Sequence, residues 1–214
     1  MQSDTKILHE IFEEIKERVD RQLEKFRYLR DYGMEEEIFE ELVFCLLTPQ
    51  SKARMAEKVI ENLKKKGLLF DANFSHLSNE LNLVRFKNHK ATYILEAQSK
   101  FIHNNRPALK SILSNLTDTN SKREWLFKNV KGIGMKEASH FLRNIGYYAD
   151  VAILDRHILR NLINFGIIEN VSSLNLKNYI SIENKMKKWA TKIKIPFEYL
   201  DFILWYKETD DIFK

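Results

Sequence analysis

Apolar residues recur at intervals of three and four along most of the chain, and that period restricts it to helices packed on helices. Leu8, Ile11, Phe12, Ile15, Val19, Leu23 and Phe26 form one such stripe, and Gly33 follows as a stop. EEEIFEELVFCLL (35–47) reads as a second, more deeply buried helix ended by TPQS. Met55, Ala56, Val59, Ile60 and Leu63 mark a third, closed by KKKG. KATYILEAQSKFI (90–102) reads as another. RPALKSIL (106–113) reads as a helix with Pro107 at its start, where a missing N–H costs nothing. SKRE (121–124) has capping-box spacing ahead of Trp125. DRHILRNLINFG, LKNYISIENKMKKWATKI and, after Pro196, FEYLDFILWY complete the series. No segment reads as a strand, a repeat or a low-complexity tract. The expectation is an all-α fold of about ten helices.

Composition sharpens this. Glycine and proline number only six and three, which argues against a turn-rich β-sandwich, while 44% hydrophobic residues suffice for a sizeable core. Thirty-five Lys+Arg against 30 Asp+Glu leave a net charge of +5, compatible with a polyanionic partner. The one cysteine, Cys45, lies in an apolar run and reads as a buried thiol; it excludes an internal disulfide or a Cys-rich metal cluster. No leader is evident and no apolar run approaches the roughly 20 residues of a membrane span. A soluble, cytoplasmic, monomeric protein is expected.

The stretch NVKGIGMKEASHFLRNIG (129–146) places Gly132 and Gly134 between two helical patterns and Lys136 on the first turn of the second. Glycine tolerates positive φ and close backbone approach. The helix that follows, about 135–145, opens with unpaired N–H groups and a partial positive charge. Such a turn is either an ordinary αα-hairpin or a phosphate-binding device.

VKGIGMKEASHFL followed by ILDRH resembles the helix-hairpin-helix DNA glycosylases. The resemblance implies a hairpin at 122–146 that grips DNA, a catalytic lysine at Lys136 and a catalytic aspartate at Asp155. The lysine marks the bifunctional branch, which removes a base and also nicks the strand. Backbone carbonyls of such hairpins can hold Na⁺ or K⁺ beside the phosphate; no organic cofactor and no catalytic metal are implied. Chemistry supports the pairing. A neutral lysine amine can attack the sugar carbon that bears a damaged base and form a Schiff base. Its pKa, near 10.4 when free, has to be lowered by burial or nearby positive charge. A carboxylate supports the cationic sugar. Asp155 also stands where an N-cap for 156–165 belongs, and the two roles are compatible.

LLTPQSKARM (46–55) resembles the loop that fills the gap left by a flipped base, with Gln50 as the filling residue. Gln50 reads equally as a polar turn residue. LVRFKNHKATYI (83–94) interleaves Arg85, Lys87, His89 and Lys90 with Phe86 and Tyr93, a mixture suited to phosphate contact and base stacking, or to a solvated loop. With PFEYLDFILWYKETDDIFK (196–214), these motifs closely resemble the type-2 branch of 8-oxoguanine DNA glycosylases, from about residue 36 to the last residue. That likeness implies that Phe86 and Trp205 sandwich the flipped base, that Asp201 lies near it, and that Lys214 helps tell oxidised guanine from guanine. Read without it, Phe86 and Trp205 suit the core. 8-Oxoguanine carries a hydrogen on N7 where guanine has a lone pair, so a chain-terminal carboxylate would favour the lesion; the buried mismatch with guanine costs on the order of 1–3 kcal/mol.

One cysteine departs from the relatives that carry a four-cysteine iron–sulfur cluster. The architecture implied is two helical lobes flanking a DNA cleft, about 31–146 and about 1–30 with 147–214. The function implied is excision of 8-oxoguanine from duplex DNA and cleavage of the abasic site by β-elimination, with no membrane partner, in a nucleoid-associated prokaryotic setting. The alternatives are a same-fold glycosylase for another damaged or mismatched base, and a non-catalytic DNA-gripping module.

Overall fold

The computed structural model describes residues 2–104, 106–169, 171 and 174–212, with side chains from Thr5 onward. Among them are eleven α-helices: α1 (Gln2–Tyr32), α2 (Glu35–Leu47), α3 (Ala53–Lys65), α4 (Phe74–Glu80), α5 (Lys87–Phe101), α6 (Leu109–Ser114), α7 (Thr119–Asn129), α8 (Met135–Leu142), α9 (Arg156–Asn164), α10 (Leu176–Ile193) and α11 (Phe197–Thr209). The all-α expectation holds. None of these helices is long and apolar enough to cross a membrane.

Three local expectations need correction. A two-stranded antiparallel pair is present, β1 (Ile102–His103) with β2 (Arg106–Pro107). Pro107 therefore sits in a strand, and α6 begins two residues later. α7 starts at Thr119 rather than near Ser121; Asp118 is its cap and accepts from Ser121 N at 2.9 Å. A capping carboxylate earlier in the chain wins over the serine, whose hydroxyl itself turns back to Asp118. α4 was not expected, and Asn73 caps it.

Two clusters of buried apolar side chains organise the molecule. One gathers α2, α3, α5 and α7 with most of α8, around Phe39, Phe44, Phe101 and Phe141. Cys45 is buried within it. The other joins α1 to α9, α10 and α11, around Ile15, Val19, Tyr179 and Phe202. Leu8, Ile11, Ile15, Val19, Leu23 and Phe26 all lie inward, as their spacing requires. Each such side chain is worth about 1.5–3 kcal/mol when fully buried.

α8 meets both clusters: Ala138 and Phe141 belong to the first, Met135 to the second. Its last turn widens into a π-type turn at 143–147. There Gly146 has φ +93°, and a Cβ on it would stand 2.6 Å from Arg30 Cβ and 2.7 Å from Phe26 O. α1 can thus lie against bare backbone, and Arg30 donates to Gly146 O at 3.2 Å.

Candidate active site

The hairpin joins α7 to α8 through Val130–Gly134. Gly132 has φ +86°, and a Cβ there would fall 2.3 Å from Tyr93 Cδ2. Close approach by Tyr93 and a left-handed backbone both demand glycine. Tyr93 packs on the hairpin at Gly132. Gly134 differs from expectation: its φ is −90°, and it caps α8 without a side-chain bond. The first N–H groups of α8 therefore meet no capping side chain, the condition for anion binding. Lys136 lies on that first turn, partly exposed, with Nζ 3.0 Å from Glu137 Oε1.

Asp155 caps α9. Its Oδ1 accepts from His157 N at 2.8 Å and Ile158 N at 2.9 Å, so the cap leaves Oδ2 unused. The segment leading to Asp155 is tied to the hairpin by a buried network absent from the sequence reading. Glu183 of α10 binds Arg123 of α7 through both oxygens, at 2.6 and 3.0 Å, with side chains only 1% and 2% exposed. The same carboxylate accepts from Ala152 N at 2.8 Å. Tyr179 donates to Ala152 O at 2.7 Å and accepts from Leu154 N at 3.1 Å. Met135 and Leu154, the neighbours of Lys136 and Asp155, share one apolar cluster.

A second buried network crosses between the clusters. Arg143 Nη1 lies 3.4 Å from Asp201 Oδ2, Arg143 Nε donates to Asn144 Oδ1 at 3.1 Å, and Asn144 donates to Glu41 Oε1 at 2.7 Å. Burial pushes the Asp201 carboxyl above the usual carboxylate range; Arg143 opposes that rise, and the charge of Asp155 adds to it. Burial also lowers Arg143, whose guanidinium lies 4.6 Å from the Phe202 ring centroid. One turn beyond Asp201, Trp205 is partly buried and meets His157 edge-on, centroids 5.0 Å apart. Asp201, Asp155, His157 and Trp205 thus form one neighbourhood.

Gln50 and Phe86 stand on two other loops. Both are exposed and both have left-handed backbones, φ 55° and 59°. For residues with a Cβ that conformation costs about 1–2 kcal/mol each. The Arg85 guanidinium lies 5.6 Å from the Phe86 ring centroid. Lys87 Nζ donates to Asn82 Oδ1 at 2.7 Å, and His89 is exposed beside Tyr93. Lys90 corrects the sequence reading. It is only 3% exposed, and its Nζ donates to Leu47 O (2.7 Å), Pro49 O (2.9 Å) and Ser51 Oγ (2.8 Å). It is not placed to touch a phosphate. Burial pushes its ammonium down to about 8.

Lys214 lies outside the described residues. A hollow of about 290 Å³ opens where Ile212 meets Phe26, Leu29 and Glu41; it is not lined by Lys136, Phe86 or Trp205. Arg54 of α3 holds Asp211 through both carboxylate oxygens, at 2.8 and 2.9 Å.

The chain is similar to known proteins along nearly its whole length. A family model described as 8-oxoguanine DNA glycosylase matches residues 19–195. The 8-oxoguanine DNA glycosylase/AP lyase of Fusobacterium nucleatum is 42% identical over 208 residues, covering 97% of this chain and 96% of that protein. The enzyme of the same description from Saccharolobus solfataricus is 40% identical, covering 94% and 95%. The crystal structure of the 8-oxoguanine DNA glycosylase of Thermotoga maritima superposes with a TM-score of 0.88 at 33% identity, covering all of both chains. The Methanocaldococcus jannaschii 8-oxoguanine glycosylase/lyase, crystallised with a 15mer DNA containing 8-oxoguanine, gives 0.88 at 33% identity over the same full coverage. A lysine on the first turn after a glycine hairpin, an aspartate capping the helix beyond it, and likeness along the whole chain lead to one assignment: the chain belongs to the 8-oxoguanine DNA glycosylase/AP lyase family of the helix-hairpin-helix superfamily.

Proposed function

We propose that this protein swings 8-oxoguanine out of duplex DNA, cuts its glycosidic bond and then breaks the strand by β-elimination through a Schiff base on Lys136. The two apolar clusters, which cross these bounds only at Met135 and Val151, support a reading as two lobes, about 31–146 and about 1–30 with 147–214, with the duplex lying between them. The hairpin carrying Gly132 and Gly134 offers the open N–H groups of α8 to a phosphate. Arg85, Lys87 and His89 add contacts to the strand. Gln50 enters the gap left by the extruded base. Phe86 and Trp205 enclose that base, Asp201 lies beside it, and Lys214 takes part in separating oxidised guanine from guanine.

The chemistry follows from the two helix starts. The Lys136 amine, once neutral and free of Glu137, bonds to C1′ as the C1′–N9 bond breaks and the base leaves with the electron pair. The unused Oδ2 of Asp155 stabilises the positive charge that grows on the sugar, while Oδ1 stays fixed by the cap. The sugar ring opens to a protonated imine between C1′ and Nζ. Loss of a C2′ proton then expels the 3′ phosphate, and water releases the lysine from C1′.

The observation that carries this reading is the tie from hairpin to capping aspartate through Arg123, Glu183 and Ala152, which fixes both helix starts relative to each other. Borohydride tests it. It should trap a covalent complex between the protein and 8-oxoguanine duplex, and Lys136→Gln should abolish the trapped band. A band that survives in this variant removes Lys136 from its role.

A further inference from the structure

Lys90 does no chemistry in the mechanism above, yet it is among the most thoroughly bonded side chains in the molecule. A lysine ammonium has three donors. All three find acceptors within the turn after α2: Leu47 O, Pro49 O and Ser51 Oγ. The turn they hold is the one that carries Gln50. Ser51 Oγ also accepts from Arg85 N at 2.9 Å, on the loop that carries Phe86. The two exposed left-handed side chains therefore each stand next to a residue of one polar knot. Gln50 precedes Ser51, and Phe86 follows Arg85. α5 begins at Lys87, so Lys90 is anchored on its first turn, with Lys90 N bonded to Phe86 O at 3.1 Å. Backbone carbonyls and a hydroxyl gathered on one buried ammonium cannot drift independently, because each would leave a buried donor unpaired.

We propose that Lys90, acting through Ser51, is a positioning residue that locks the Gln50 and Phe86 loops into one preformed unit, Gln50 set to enter the gap and Phe86 to receive the extruded base. The proposal rests on the function proposed above and adds a residue that touches neither DNA nor the reacting sugar. A side chain that enters a base stack has to hold its direction against the stack's tendency to close, and an unstrained loop would let it fold back. The strain at Gln50 and Phe86 persists because the knot overdetermines it. Extrusion thus depends on Lys90, whereas attack on a sugar whose base is already absent and whose strand is already single does not.

The test uses the full chain with Lys90→Met, which keeps the stem and removes every donor, and Ser51→Ala, which removes the shared acceptor. Two activities are measured under single turnover: excision from an 8-oxoguanine duplex, and lyase cleavage of a single-stranded oligonucleotide with a preformed abasic site. A 2-aminopurine beside the lesion reports unstacking. Both variants should lose at least tenfold in duplex excision and most of the 2-aminopurine rise, while lyase cleavage changes less than threefold. Equal losses in both activities indicate a merely structural role and overturn the proposal, as does undiminished duplex excision. If Lys90→Met does not fold, Ser51→Ala decides by the same ratio. A wild-type protein that does not excise 8-oxoguanine overturns the function and this proposal together; an active wild type with an unchanged ratio overturns this proposal alone.

Discussion

Glu183→Gln is the change that best probes how the site is assembled. The wild-type carboxylate binds Arg123 through both oxygens and also accepts from Ala152 N, and both side chains are 1–2% exposed. An uncharged amide leaves the Arg123 guanidinium buried without its counter-charge; its oxygen in the place of Oε2 can still accept from Arg123 Nη1 and Ala152 N, but its NH2 then faces Arg123 Nη2 donor to donor. Losing one partner of a buried pair costs about 3–5 kcal/mol. The double change Arg123→Met with Glu183→Leu removes both charges and leaves chiefly the Ala152 N–H unpaired, a cost of about 1–3 kcal/mol. For a chain of this length, about 2–4 °C per kcal/mol puts Glu183→Gln roughly 6–20 °C below wild type in melting temperature, with the double variant between them. Urea unfolding followed by tryptophan fluorescence measures the free energies, provided the m-value is unchanged. A single variant within about 1 kcal/mol of wild type, or a double variant less stable than the single, refutes the reasoning.

Two further outcomes follow. Gly132→Ala should destabilise the protein by about 1–3 kcal/mol, because φ is +86° and the new methyl would meet Tyr93 at 2.3 Å, whereas Gly134→Ala, with ordinary φ and only the flexible Glu137 carboxylate 3.0 Å away, should cost less than about 1 kcal/mol; thermal melts of the pair check this. Lys90 sets a pH dependence: its folded pKa is about 8 against about 10.5 unfolded, so the unfolded chain holds more protons between those values, and stability relative to Lys90→Met should be flat below that window and rise with pH across it, as urea titrations at about pH 7, 8.5 and 10 would show.

Much of this molecule was written in its periodicities. The stripe of α1, the run of α10, the proline before α11 and the Asp155 cap depend on neighbours in sequence, where spacing carries the information. α4 was lost because seven largely polar residues show no period, and only the Asn73 cap marks its start. Pro107 suited a helix start as well as a strand; the local sequence held no vote between them. Arg123, Glu183, Arg143 and Lys90 escaped for a common reason. A charged residue on a helix reads as solvated, and its burial is decided by a partner or loop far along the chain, 60 residues away for Glu183 and 39 to 43 for the acceptors of Lys90. The hairpin turn and the place of Lys136 on the first turn of α8 were legible from spacing, whereas the role given to Lys136 came from the family resemblance. How tightly the two helix starts are tied together was legible in neither.

The bare backbone at Gly146 that receives α1 has a bearing on biosynthesis. The end of α1 docks on a turn synthesised 116 residues later. At about 5–20 residues per second, the Phe26–Arg30 end of α1 waits roughly 6–23 s for that seat, and the rest of its apolar stripe waits longer, for α9, α10 and α11. During this interval the nascent chain carries an amphipathic rod whose covering helices are not yet made, and a side chain introduced at 146 would keep the Phe26–Arg30 end from seating once they are.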